Sequence, residues 1–166
     1  MTAERLWTPW RMAYIRGGGA KPTGGCIFCD LPAAGDDAAH HILARGAVSF
    51  VLLNGFPYNP GHLMVAPFRH VGDYGALTAD ELAETMAFAG TAIRALSEDA
   101  DADGFNLGMN LGQVAGAGIA DHIHLHLVPR WDGDTNFMPI VGQTKVLPEL
   151  LDETYERLRP FFDRRG

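Results

Sequence analysis

Two short apolar runs, VSFVLL (48–53) and HLMVA (62–66), flank the turn-dense stretch NGFPYNPG. Runs of this length, rich in Val, Leu and aromatics and bounded by Gly, Pro and Asn, predict a pair of adjacent antiparallel strands. The pattern then changes to helical spacing. Thr78 followed by Glu81 is a capping box, and Leu82, Met86, Ala89, Ile93 and Leu96 recur along one stripe, predicting a helix over 79–98 with a single core face. GFNLGMNLG (104–112) and HIHLHLVPR (122–130) return to strand-like alternation, separated by the small-residue loop QVAGAGIAD. Residues 147–162 read as a closing helix that starts at Pro148 and ends near Pro160. Strands, helix, strands, helix predict an α+β fold: an antiparallel sheet with a long helix and a C-terminal helix.

Upstream of these elements, residues 1–25 form a separate unit, with the body at 26–166. Leu6, Trp7, Trp10, Met12, Tyr14 and Ile15 read as an amphipathic arm, and GGGAKPTGG (17–25) reads as a flexible connector. At 166 residues the chain is long enough to bury one core without staples. No apolar run approaches the roughly 20 residues needed to cross a bilayer, and the N-terminus lacks a secretory signal core. A cytoplasmic protein without membrane association is expected. The net charge of −7 gives no support to a nucleic-acid surface. A small phosphate-bearing ligand remains open, because it needs only local donors.

The histidines sharpen this picture. On a strand, His122, His124, His126, Val128 and Arg130 share one face, while Ile123, Leu125 and Leu127 share the other. Successive histidines would stand roughly 6.5–7 Å apart. That spacing suits three groups spread along a polyphosphate, or two ligands of one metal, and is loose for a direct imidazole relay. A His₃ metal site is the competing use of such a strand. The cysteines, Cys26 and Cys29, form a CxxC pair that reads as a metal site, a redox pair or two inert thiols.

HIHLHLV resembles the histidine-triad motif, NPGHLMVAPFRH resembles that family's strand carrying a fourth histidine after a Pro-Gly turn, and CIFC is similar to its bacterial members. The resemblance covers residues 26–130, with the motifs in the family's order. It implies that His124 is the nucleophile, passing through a nucleotidylated histidine. His126 would bond the attacked phosphoryl group or the leaving oxygen, and His122 and His62 complete the catalytic set. For the nucleotide it implies Asn54 at the ribose, Asn110 at phosphate, Phe50 and Phe28 as walls for the base unless they are simply core, and Gly118 in a loop whose backbone could cradle an anion. It also implies a structural Cys₂His₂ zinc on Cys26, Cys29, His70 and His122, with His40 and His41 as competing ligands.

No organic cofactor is implied, and Mg²⁺ would come with the substrate. The flanks LWTPWRMAYI and PRWDGDTNFMPIVG are similar to the bacterial diadenosine-tetraphosphate phosphorylase group. The expected partners are an adenine dinucleotide, inorganic phosphate (with Arg130 and Lys145 as cations on its side) and a second copy in a homodimer. Gly118 stands where hydrolases of the fragile-histidine type carry glutamine. AGI (117–119) replaces the Gly-Gln-Ser of phosphoramidate hydrolases. Hydrolysis of the dinucleotide, of phosphoramidates or of adenylates is the alternative activity, and a nucleotide-binding module without turnover is the alternative class.

Overall fold

The computed structural model describes residues 25–134 and 149–163. All but the last residue of the N-terminal unit, together with Lys145 and the start assigned to the closing helix, lie outside them. Five strands, β1 (Ile42–Arg45), β2 (Ser49–Leu53), β3 (Leu63–Pro67), β4 (Gly104–Met109) and β5 (Leu125–Arg130), form one sheet. Its order is β1-β2-β3-β5-β4, antiparallel throughout. The α-helices among the described residues are α1 (Ile27–Ala33), α2 (Ala79–Ala100) and α3 (Leu151–Asp163). None of the described helices is long and apolar enough to cross a membrane.

Alternation along the strands divides the core in two. Val51, Leu53, Leu63, Val65, Leu125 and Leu127 face α2 and α3, meeting Phe88, Ala92, Leu96 and Leu158. Phe50, Leu52, Met64 and Ala66 face the other way, onto Phe28 of α1. The histidine side of β5 belongs to this second face. β1 and α1 were not expected from the sequence.

The boundaries differ in places for local reasons. The Thr78–Glu81 capping box is present, and Ala89 and Leu96 of the expected stripe are buried, but the buried face also takes in Glu81, Thr85, Phe88, Ala92 and Ala95, while Met86 is exposed. Alanines at the contact let this face lie close to the sheet. β4 stops at Met109, and Gly112 (φ 82) has already turned the chain. α3 continues through Pro160 to Asp163, burying Leu158 and Phe162. A proline so near a helix end removes one hydrogen bond, and the buried side chains on either side hold the turn.

The loop between β2 and β3 ends in Gly61, whose φ of 78 is in the left-handed region. A Cβ there would stand 2.7 Å from Leu96 Cδ2 and 3.5 Å from Pro129 Cγ. Leu96 is wholly buried and has no room to retreat. Gly61→Ala is therefore expected to destabilise the fold by about 3 kcal/mol, combining left-handed strain with overpacking. Urea unfolding measures this, and a midpoint unchanged from wild type would refute it.

Candidate active site

The sheet prepares the histidine face through one interruption. β3 and β5 pair from Leu63↔Leu127 to Val65↔Leu125. One step of two further on, the partner would be Pro67, which has no N–H to give. The ladder ends there. His122, Ile123 and His124 leave the strand, and Ile123 N–H instead donates to Val71 O at 2.7 Å. The triad is thus not the regular ladder that alternation alone suggests. The rings of His124 and His126 come within 4.8 Å centroid to centroid, edge to face.

Hydrogen-bond partners assign the protons on three of these imidazoles. His124 Nδ1 donates to the carbonyl of His122 at 2.9 Å, which leaves Nε2 with its lone pair. The Tyr58 backbone N–H can only donate, and it does so to His62 Nδ1 at 3.0 Å. Neutral His62 therefore carries its proton on Nε2, which donates to His126 Nδ1, also at 3.0 Å. The proton of neutral His126 is in turn left on Nε2. Two adjacent rings consequently differ in character, one offering a lone pair at Nε2 and the other an N–H. A relay does exist, and it runs sideways from the fourth histidine, not along the strand. Burial pushes His124 below the usual imidazole range, against the opposing effect of its bond to the His122 carbonyl, and so favours the neutral ring.

The second constellation lies beside the first. Cys26, Cys29, His70 and His122 bring their ligand atoms within 4.8 Å of one another. Cys26 Sγ is 3.3 Å and Cys29 Sγ 3.6 Å from His122 Nδ1, and Cys29 Sγ is 3.4 Å from His70 Nδ1. A tetrahedral zinc with ordinary Zn–S and Zn–N lengths would set such sulfur–nitrogen edges at about 3.6 Å. His122 Nε2 donates to Pro67 O at 2.8 Å, turning its Nδ1 lone pair toward the sulfurs. A carbonyl behind a metal-binding imidazole is the usual second partner of such a ligand. Burial and the neighbouring Cys26 push the Cys29 thiol up, so thiolates side by side here call for a cation. The donor set fits a structural divalent metal. Outside the cluster, Arg69 forks onto Glu81 at 2.9 and 2.7 Å, holding that carboxyl down to about 2 and fixing the chain just before His70.

Other expected residues take different places. His41 bonds Asp152 at 2.6 Å, and neither it nor His40 is part of the cluster. Phe50 is fully buried and stacked on Phe68, and Phe28 is 1% exposed with its ring against His124 at 4.6 Å. Neither offers a surface to a base; Phe28 instead backs the His124 ring. Asn54 Oδ1 accepts from Phe56 N–H at 3.0 Å, while its Nδ2 is nearly equidistant, at 3.3 and 3.4 Å, from both His62 nitrogens, as for an amide lying over the ring. Asn110 directly follows Met109, whose strand partner Leu125 directly follows His124, so both residues lie just past the end of the β4–β5 ladder. Gly118 is exposed in the loop before the triad. In that loop the Gly116 and Ala117 amides are used within the turn itself, donating to Gln113 O and Gly112 O.

Arg130 is not a loose cation waiting for phosphate. It bonds Asp134 through Nε and Nη2 and donates Nη1 to Asn106 Oδ1 at 2.8 Å. Sequence reasoning also missed Tyr58, Asn59 and the Pro67 carbonyl. Two of these act through backbone atoms, which no residue pattern advertises.

The model of the HIT domain matches residues 37–133. The chain belongs to the HIT family. This HIT protein is 44% identical over 157 residues to the AP-4-A phosphorylase of Mycobacterium tuberculosis, a match covering 91% of this chain and 80% of the relative. The crystal structure of a Zn-bound histidine triad family protein from Mycobacterium smegmatis superposes with a TM-score of 0.69 at 27% identity, covering 84% of this HIT protein and 94% of that chain. The diadenosine triphosphate hydrolase of Plasmodium falciparum shares the fold, with a TM-score of 0.59 at 16% identity and 75% of each chain covered.

Proposed function

We propose that this HIT protein is a nucleotidyl transferase of the diadenosine-tetraphosphate phosphorylase type, working through a nucleotidyl-histidine intermediate. The observation that carries the reading is the opposite proton placement on His124 and His126. His124 Nε2 attacks the α-phosphorus of the dinucleotide. A P–N bond forms, the bond from that phosphorus to the bridging oxygen breaks, and ATP departs. His126 Nε2–H bonds the phosphoryl or leaving oxygen as negative charge gathers there. The His124 Nδ1–H to His122 carbonyl bond steadies the ring as it becomes positively charged. An oxygen of inorganic phosphate then displaces the histidine from phosphorus, giving ADP and restoring the neutral ring. Asn110, just past the end of β4, is the residue we assign to phosphate.

In the same reading Cys26, Cys29, His70 and His122 hold zinc, which supplies a fixed structural tie and takes no part in the chemistry. Two free thiols as metal ligands suit a reducing, cytoplasmic setting. Mg²⁺ would arrive with the polyphosphate. A homodimer is supported by β4, an edge strand of the sheet whose Leu107 is exposed, followed by exposed Leu111 and Val114.

The test is product analysis with diadenosine tetraphosphate, with and without inorganic phosphate. ADP and ATP formed only with phosphate is the expected result. AMP and ATP formed regardless of phosphate would make the chain a hydrolase. Absence of turnover and of a labelled histidine adduct would leave a binding module.

A further inference from the structure

The proton on His126 depends on a backbone amide in the loop between β2 and β3, and that loop has a buried anchor remote from the reacting atoms. Asn59 is 7% exposed. Its Nδ2 donates to Pro129 O at 2.8 Å and to Asp134 Oδ2 at 2.9 Å, so both amide hydrogens are directed to the end of β5. Its own carbonyl accepts from His62 N–H at 3.0 Å, closing the turn that carries Tyr58. The Asp134 carboxylate is held well below the usual range, chiefly by Arg130 and further by Asn59 and the Trp131 N–H. Arg130 extends the network to Asn106 on β4.

The consequence follows from the donor order already established. Tyr58 N–H is the group that obliges His62 Nδ1 to accept. Displacing this amide would let the His62 proton move to Nδ1, so that Nε2 could accept. His126 Nδ1 would then have to donate, and the proton on His126 Nε2 would be lost. We propose that Asn59, anchored by Asp134, is a positioning residue that acts through the Tyr58 amide and His62 to keep the His126 proton on Nε2. This rests on the proposed phosphoryl chemistry for its catalytic meaning, though not for its structural content.

The test uses the full-length, metal-loaded protein with ¹⁵N-labelled histidine, whose ring nitrogen shifts report which nitrogen carries the proton. Asn59→Leu removes both donors at similar size. Asp134→Asn removes the charged acceptor without touching the loop, and decides the matter if Asn59→Leu fails to fold. The expected result is a mixed or reversed tautomer at His126, with kcat lowered on the order of 10–100-fold and KM within about threefold. Folded variants with the wild-type tautomer at His126 would overturn the proposal, even if kcat falls, because Asn59 would then be acting on the loop in general. A tautomer shift in a protein whose wild type forms no nucleotidyl adduct would support the positioning role and overturn the reading of function.

Discussion

His124→Asn is expected to turn over dinucleoside polyphosphate at least about 10⁴-fold more slowly than wild type, since removal of a covalent nucleophile leaves only binding and electrostatic assistance. Incubation with α-labelled substrate followed by alkaline quenching would give a labelled wild-type chain and an unlabelled variant. His124 is 6% exposed and packs on Phe28, so a loss of activity could also come from misfolding. Asparagine is chosen because its amide can reach toward the His122 carbonyl and fill part of the space. A cooperative melt and an unchanged metal content establish that the fold survives. Normal turnover by a folded His124→Asn protein would sink the mechanism.

The second large effect concerns the cysteine–histidine cluster. It joins α1, the segment after β3 and the approach to β5. We expect one zinc per chain in the wild type and almost none in the Cys26→Ser/Cys29→Ser variant. The variant should lose about 4 kcal/mol of stability, only part of what zinc contributes to small domains that cannot fold without it. For a chain of this size that corresponds to a melting point lower by roughly 10–15 °C. Metal analysis and calorimetry read both effects. The His124→Asn protein should retain its zinc; loss of metal from that variant would point instead to a His₃ catalytic metal. A full complement of zinc in the double cysteine variant would remove Cys26 and Cys29 from the site.

Much of this could be read from the residues. β2, β3 and α2 announce themselves because alternation and a capping box are local signals, and the linked CxxC, Pro-Gly-His and triad motifs point to both clusters. Other elements carry no such signal. α1 is seven residues long, includes Pro32 and has no time to establish a period. β1 is four residues long and starts beside a left-handed His41, with a shift of register inside it. The short reach between His124 and His126 could not be foreseen from strand spacing, because it depends on Pro67 ending a ladder formed by a distant segment. Phe28 and Phe50 leave base wall and core open in sequence, and it is the packing of α1 on the sheet that buries both. Arg130 reads in sequence as a cation on the phosphate side, and its bonds to Asp134 and Asn106 depend on the loop after β5 and on β4, which the local pattern does not carry.

His122 is engaged through three different atoms. Nδ1 faces the sulfurs, Nε2–H holds Pro67, and the main-chain oxygen orients the neighbouring His124. Substitution can delete the first two and can never delete the third, since every amino acid brings a carbonyl. Alanine scanning at this position would therefore assign His122 wholly to metal retention and stability, and its contribution to the nucleophile would go uncounted. Only replacement of the amide that carries this oxygen, by an ester or thioamide through chemical ligation, would expose it. The carbonyl's part in holding the nucleophile thus leaves no trace in a mutational survey of this position.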